Sequence, residues 1–157
     1  MMKKKGFLVL LFALVCLVSV GCGKDKKEDK KADSNVKTLK CTQEEEGQKL
    51  EMTIAQDQKS YKLDKANMVM TMPKSMYKEI ASSEEALKEL ICTDENEEYK
   101  DCTVKFVGED ITVTIEYDAE KFGQSLIDQG DIKELDADTL KTLKESAEKD
   151  KGTCTIS

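Results

Sequence analysis

The stretch CTVKFVGEDITVTIEY, at residues 102–117, decides the fold. Apolar and polar side chains alternate on both sides of its Gly-Glu-Asp turn at residues 108–110, which is the pattern of two antiparallel strands with one face buried. The alternation predicts one buried row on each strand of this hairpin: Cys102, Val104 and Phe106 on the first, and Ile111, Val113, Ile115 and Tyr117 on the second.

Three earlier runs show the same alternation, and Pro73 ends the last of them. An acidic loop at residues 44–47 follows the first run, which carries Leu39 and Cys41. A polar turn at residues 56–60 separates the second from the third, which extends from Tyr61 to Met72. Period-two patterning on three successive runs predicts an antiparallel meander with one face in water.

Capping signals predict three helices. Their expected buried residues are, in chain order, Leu87, Leu90 and Ile91 behind a Ser82–Glu85 capping box; Phe122 and Leu126 between an Asp118 cap and a Gly130 stop; and Leu140, Leu143 and Ala147 behind an Asp136 cap.

The order βββ-α-ββ-α-α, followed by a short strand at residues 153–156, predicts a single α+β domain over residues 37–157. Its expected architecture is a mostly antiparallel sheet, made of a three-stranded meander plus a hairpin, with helices on one face.

The N-terminal 36 residues are predicted to lie outside this domain. Residues 1–21 combine a lysine triplet with a short apolar run, as in a secretory signal peptide. The end of this run, Val18-Ser19-Val20-Gly21-Cys22, resembles the lipobox of bacterial lipoproteins, in which the cysteine is acylated and becomes the new N-terminus. Residues 22–36 are then a lipidated cysteine and a charged, disordered tether. An ordinary signal peptide that leaves Cys22 free is the alternative.

Composition excludes several kinds of chemistry. The chain has no His and no Trp, and all 25 of its basic residues are lysine. A Ser-His nucleophile pair and a His-ligated zinc site are therefore excluded. The net charge of −7 argues against nucleic acid as a partner.

Four cysteines remain after the signal segment and Cys22 are set aside: Cys41, Cys92, Cys102 and Cys154. An even number in an exported domain favours two disulfides over a four-thiolate metal site, because no Cys-x-x-Cys pair is present. Of the three possible pairings, we favour the nested one, Cys92–Cys102 with Cys41–Cys154.

The layout of the chain resembles small lipoproteins of Gram-positive bacteria, and it is similar to the uncharacterised YehR-like lipoprotein family. The segments that carry the resemblance, beside the lipobox and the lysine-rich tether, are residues 39–42, 102–106, 111–115 and 152–154. The resemblance implies a lipid-anchored protein on the outer side of the cytoplasmic membrane. It offers no catalytic residues.

Three stretches could carry chemistry. Met68, Met70 and Met72 could hold Cu(I) through their thioethers, but their spacing also places them on the buried face of a strand. Residues 94–98 begin like a calcium loop, yet Tyr99 stands where the EF-hand glycine is needed. Ser75 and Lys78 match a Ser-x-x-Lys pattern without the accompanying motifs of acyl-transferring enzymes.

The sequence therefore predicts a non-catalytic binding module that needs no cofactor. The membrane is its expected partner through the lipid anchor, together with an unidentified protein or small ligand. A Met-rich copper-handling lipoprotein and a small envelope enzyme are the alternatives. A protein partner would call for an exposed apolar patch, copper for convergent sulfurs at the surface, and an enzyme for a deep pocket with paired polar groups.

Overall fold

The computed structural model describes residues 35–77, 82–93 and 97–157. The predicted signal peptide, Cys22 and all but the last two residues of the predicted tether lie outside the described residues. So do most of the calcium-like stretch, at residues 94–96, and Lys78 of the Ser-x-x-Lys pattern.

The described part of the chain confirms the α+β prediction, with six strands and three α-helices. The strands are β1 (Val36–Glu45), β2 (Gln48–Asp57), β3 (Leu63–Pro73), β4 (Tyr99–Val107), β5 (Asp110–Tyr117) and β6 (Thr153–Ile156). The helices are α1 (Glu84–Ile91), α2 (Ala119–Asp128) and α3 (Thr139–Lys149), and a 3₁₀ turn, Lys74–Met76, follows β3.

All the strands pair antiparallel, in the spatial order β4-β5-β3-β2-β1-β6. The first three strands form the predicted meander. The hairpin of β4 and β5 adds to it through β5, which lies beside β3. The C-terminal strand β6 pairs with β1, so the two ends of the domain meet at one edge of the sheet.

The turn between β1 and β2 is tighter than predicted. β1 continues through Glu45, and only Glu46 and Gly47 connect it to β2. Both residues have positive φ, 47° and 95°, as a two-residue hairpin of the primed class requires. The predicted four-residue acidic loop is therefore wrong. Glu44 and Glu45 still pair with β2, although their hydrophilic side chains suggest a loop.

The turn between β2 and β3 also differs from the prediction. Gln56 is a fully buried residue of β2 rather than part of the turn, and Tyr61 lies before β3 with a φ of 59°. The carboxylate of Asp57 organises this turn by accepting from the backbone N–H groups of Ser60 and Lys59, at 2.7 and 2.8 Å. These two bonds hold the pKa of Asp57 below its usual value.

Two helix starts are shifted relative to their predicted caps. Ser83, not Ser82, caps α1, and its Oγ accepts from the backbone N–H of Ala86. Asp138, not Asp136, precedes α3, while Asp136 Oδ1 accepts from the backbone N–H of Asp138 in the turn before the helix. Asp118 caps α2 as predicted.

The helices bury their apolar side chains against one face of the sheet. α1 packs on β4, α2 on β3, and α3 on β1 and β6. Leu90 was expected in the buried stripe of α1 but is 56% exposed, because this two-turn helix meets the core mainly through Leu87.

A single row of paired residues crosses the covered face and shows how the core is built. It runs through all six strands and consists of Cys154, Cys41, Met52, Met68, Ile115 and Cys102. All six side chains are buried. The two end residues of the row, Cys154 and Cys102, therefore belong to two different disulfides.

The structure forms the two disulfides that the sequence analysis favours. Cys41 and Cys154 are directly opposed on β1 and β6, with their Cα atoms 4.1 Å apart. Thr38 and Ser157 exchange backbone hydrogen bonds, so by alternation Cys41 and Cys154 form a non-hydrogen-bonded pair, in which side chains approach closely. Cys92, at the end of α1, joins Cys102 of β4 across a Cα separation of 5.7 Å.

Candidate functional site

The fold leaves one face of the sheet uncovered by the described helices. We call it the open face and define it by three rows of cross-strand pairs. The rows are Thr155, Lys40, Thr53, Asn67, Glu116 and Asp101; Thr153, Thr42, Glu51, Val69, Thr114 and Thr103; and Glu44, Lys49, Thr71, Thr112 and Lys105.

Threonine makes up eight of these 17 residues. It is the residue type that suits such a position, because its β-branch favours a strand while its hydroxyl stays hydrated. The segment Thr112-Val113-Thr114 shows the principle: Val113 is buried in the core and the two threonines lie on the open face. Strand periodicity alone therefore produces a broad surface of short polar side chains.

Charges on the open face nearly cancel. It carries three lysines and four acidic residues, whereas residues 37–157 together carry 17 lysines and 28 acidic residues. Lys49 and Glu51 form an ion pair at 2.9 Å. Lys100 hydrogen-bonds to Glu116 and lowers the pKa of that carboxyl, which keeps Glu116 ionised. The excess negative charge of the domain lies elsewhere.

The size of the open face suits a modest interface. Six strands spaced about 4.8 Å apart, and three rows about 7 Å apart along them, give a projected area of about 600 Å². Specific protein–protein interfaces at the smaller end bury about 600 Å² on each partner. The open face is thus large enough for one side of such a contact.

The large exposed apolar side chains among the described residues each belong to a different element or turn. They are Tyr61, Met76, Leu90, Val107 and Ile156. The open face, in contrast, is polar at 16 of its 17 positions.

The methionine stripe of β3 lies on the covered face. Met68 and Met72 are buried and Met70 is partly buried against the same core. Their cross-strand partners on β5 are Ile115, Val113 and Ile111, in that order. These thioethers pack among aliphatic side chains, as core methionines do.

The described residues do not complete the other two candidate sites, the Ser-x-x-Lys pattern and the calcium-like stretch. Ser75 lies in the 3₁₀ turn, and the pattern's lysine is outside the described residues. Within residues 35–77, 82–93 and 97–157, no group of three or more Cys, Asp or Glu side chains is placed to hold a metal ion. No helix in the same ranges is long and apolar enough to cross a membrane.

Two open pockets border the described surface. One, of about 340 Å³, lies in the connection between α2 and α3 and is lined by residues that include Asp131, Asp136 and Thr139. The other, of about 330 Å³, lies beside the Cys92–Cys102 disulfide and is lined by Lys88, Thr93, Glu97, Tyr99, Lys100 and Asp101. The hydrophilic residues of both pockets give no periodic signal in the sequence, so sequence reasoning missed them.

Tyr99, which lines the second pocket, belongs to an aromatic cluster that continues into the core. Tyr99 meets Tyr117 edge-on, with ring centroids 5.5 Å apart, and Tyr117 packs on Phe122 at 4.8 Å. Burial raises the pKa of Tyr117 far above its ordinary value, so its phenol stays protonated. The sequence analysis placed Tyr117 in the core but not Tyr99 beside it.

The chain matches no protein-family model, no curated protein and no solved structure.

Proposed function

We propose that this protein is a lipid-anchored lipoprotein of the cell envelope, which presents a non-catalytic binding domain on the outer side of the cytoplasmic membrane. The observation that carries the proposal is the lipobox-like stretch Val18–Cys22, followed by a charged segment and then by a domain with two disulfides. Disulfides persist in exported proteins, which agrees with this location. The resemblance to the YehR-like lipoproteins implies the same.

The geometry of the domain suits such an anchor. β1 begins at Val36, so the tether would join the sheet at the end where β1 starts and β6 finishes. A flexible chain of 14 residues spans about 20 Å on average, which holds the domain near the membrane without fixing its orientation. Two or more acyl chains are needed for stable anchoring.

The open face is the binding surface that we propose, with a protein as its partner. It is polar and not the apolar patch that the sequence analysis expects for such a partner, but a non-obligate interface as a whole is only about as apolar as the rest of a protein surface. The open face is broad and nearly neutral within an acidic domain, so a partner meets little of the domain's charge there. A polar surface of this size fits a transient contact better than a permanent one, because permanent interfaces are larger and more apolar.

The anchor is tested by replacing Cys22 with Ala. We expect the domain to appear in the medium or as uncleaved precursor, because acylation needs the thiol. Cys16→Ala is the matched control, since it removes a cysteine from the signal segment that is not the proposed acyl acceptor. Unchanged membrane partitioning of the Cys22 variant would contradict the lipoprotein assignment.

The binding surface is tested with a photoreactive side chain at position 114 on the open face and, as the control, at position 141 on the exposed side of α3. In intact cells we expect one adduct of defined mass from position 114 only. Equal adducts from both positions, or none from position 114, would count against the open face.

A further inference from the structure

We infer that the Cys92–Cys102 disulfide is a thiol-exchange site, at which a small-molecule thiol enters the adjoining pocket and attacks Sγ of Cys92. The Cys41–Cys154 disulfide is structural and does not exchange in the folded protein. The two bridges differ in access, in the position of their sulfurs and in the charges beside them.

Access separates the two bridges first. Cys41 and Cys154 are 3% and 5% exposed and belong to the core row that crosses the sheet. A thiolate reaches them only after the edge strand β6 opens. Cys92 is only partly buried, and it lines the open pocket of about 330 Å³ together with Cys102. That volume lies within the range of small-ligand sites.

The position of Cys92 decides which sulfur is attacked. Cys92 is the C-terminal cap of α1, where the negative end of the helix dipole disfavours a thiolate. Cys102 lies in β4 without that penalty, but its burial in the core also disfavours a thiolate. Cys102 is the more buried of the two, so access directs the attack to Cys92.

The exchange balances with two equivalents of thiol. A thiolate RS⁻ forms a bond to Cys92 Sγ, the Cys92–Cys102 bond breaks, and the electron pair leaves on Cys102 Sγ. A second thiolate then attacks the R-group sulfur of the mixed disulfide and releases Cys92 as a thiolate. Two thiols are thereby oxidised to RSSR, and the bridge is reduced by two electrons.

The charges around the pocket indicate the class of thiol. Lys88 supplies an amine, and Glu97 and Asp101 supply two carboxylates, while the amine of Lys100 also lines the pocket but pairs with Glu116. The lysines also favour the thiolate over the thiol. A zwitterionic amino thiol complements both signs, and free cysteine is the simplest member of that class.

To test this, the mature protein is purified in detergent and treated with cysteine. The reaction is quenched with acid, free thiols are alkylated and the peptides are mapped. We expect a cysteine adduct on Cys92, an alkylated Cys102 and an intact Cys41–Cys154 pair. Opening at Cys92–Cys102 should be at least about tenfold faster than at the buried bridge. The rate with each thiol is divided by the rate of the same thiol with an unstructured peptide disulfide. On this scale, cysteamine and 3-mercaptopropionate should react more slowly than cysteine.

Paired variants test which of the two sulfurs is accessible separately from the rate at which the bridge opens. Cys102→Ser leaves a thiol at position 92 and should form a mixed disulfide with cystine readily, whereas Cys92→Ser leaves the more buried thiol and should do so slowly. Circular dichroism and an intact Cys41–Cys154 pair report that each variant is folded. Equal opening of both bridges, an adduct on Cys102, or opening only by a protein dithiol would overturn the inference.

Discussion

Gln56 shows how a single polar side chain joins distant parts of this fold. It is fully buried, and its Nε2 donates to the carbonyl oxygens of Tyr61 and Asp136 at 2.9 Å each. The first bond fixes the turn after β2, and the second reaches the loop before α3, 80 residues away in sequence. The cost of burying an amide is offset here by two acceptors that only the folded chain supplies.

At the same scale, a substitution of Met72 tests whether the methionine stripe belongs to the core or binds copper. Met72→Ala should lower the free energy of unfolding by about 2–5 kcal/mol, because the side chain is fully buried and leaves a cavity. Met70→Ala should cost less, since Met70 is only partly buried. Urea unfolding measures both effects, and Cu(I) titration should show no stoichiometric binding.

Met76→Ala is the matched control for these variants. Met76 is 42% exposed, so its removal should change stability by less than about 0.5 kcal/mol. Tight binding of one Cu(I) that is lost in Met70→Ala, while the fold survives, would instead assign the stripe to metal handling.

Among the elements, α2 and α3 offer a comparison of two aspartate caps. Asp118 Oδ1 accepts from the backbone N–H groups of Glu120 and Lys121 at 3.1 and 3.0 Å, whereas Asp138 makes no side-chain capping bond. Asp118→Ala should therefore cost about 1 kcal/mol of unfolding free energy, and Asp138→Ala only a few tenths. Thermal unfolding followed by circular dichroism measures the difference. Equal losses would show that the observed geometry does not govern the capping energy.

For the whole molecule, the two bridges should differ in how much they stabilise the fold. Cys41 and Cys154 are 113 residues apart, and Cys92 and Cys102 are 10 residues apart. The chain-entropy relation assigns about 5 kcal/mol to the longer loop and about 3 kcal/mol to the shorter. Replacing each pair by Ala and measuring urea unfolding tests this order. A larger loss from the Cys92–Cys102 pair would show that local packing of α1 outweighs loop closure.

The sequence by itself determined the elements of this domain and their order. Alternation in residues 102–117 and in β1 to β3 identifies strands because a pleated strand exposes and buries side chains by turns. It also indicated the nested cysteine pairing, since Cys41 and Cys154 lie in the first and last strands. Caps were placed within two residues, because several adjacent Ser or Asp residues could serve equally well before packing selects one.

Only the tertiary structure decided which surfaces remain open and which polar groups are buried. The sequence could not show that the three rows of the open face align across five or six strands, because register depends on pairing between segments far apart in the chain. It could not predict that Gln56 would be buried, since its partners come from a turn and a distant loop. The pocket beside Cys92 likewise appears only in the folded chain, where the end of α1 lies beside β4.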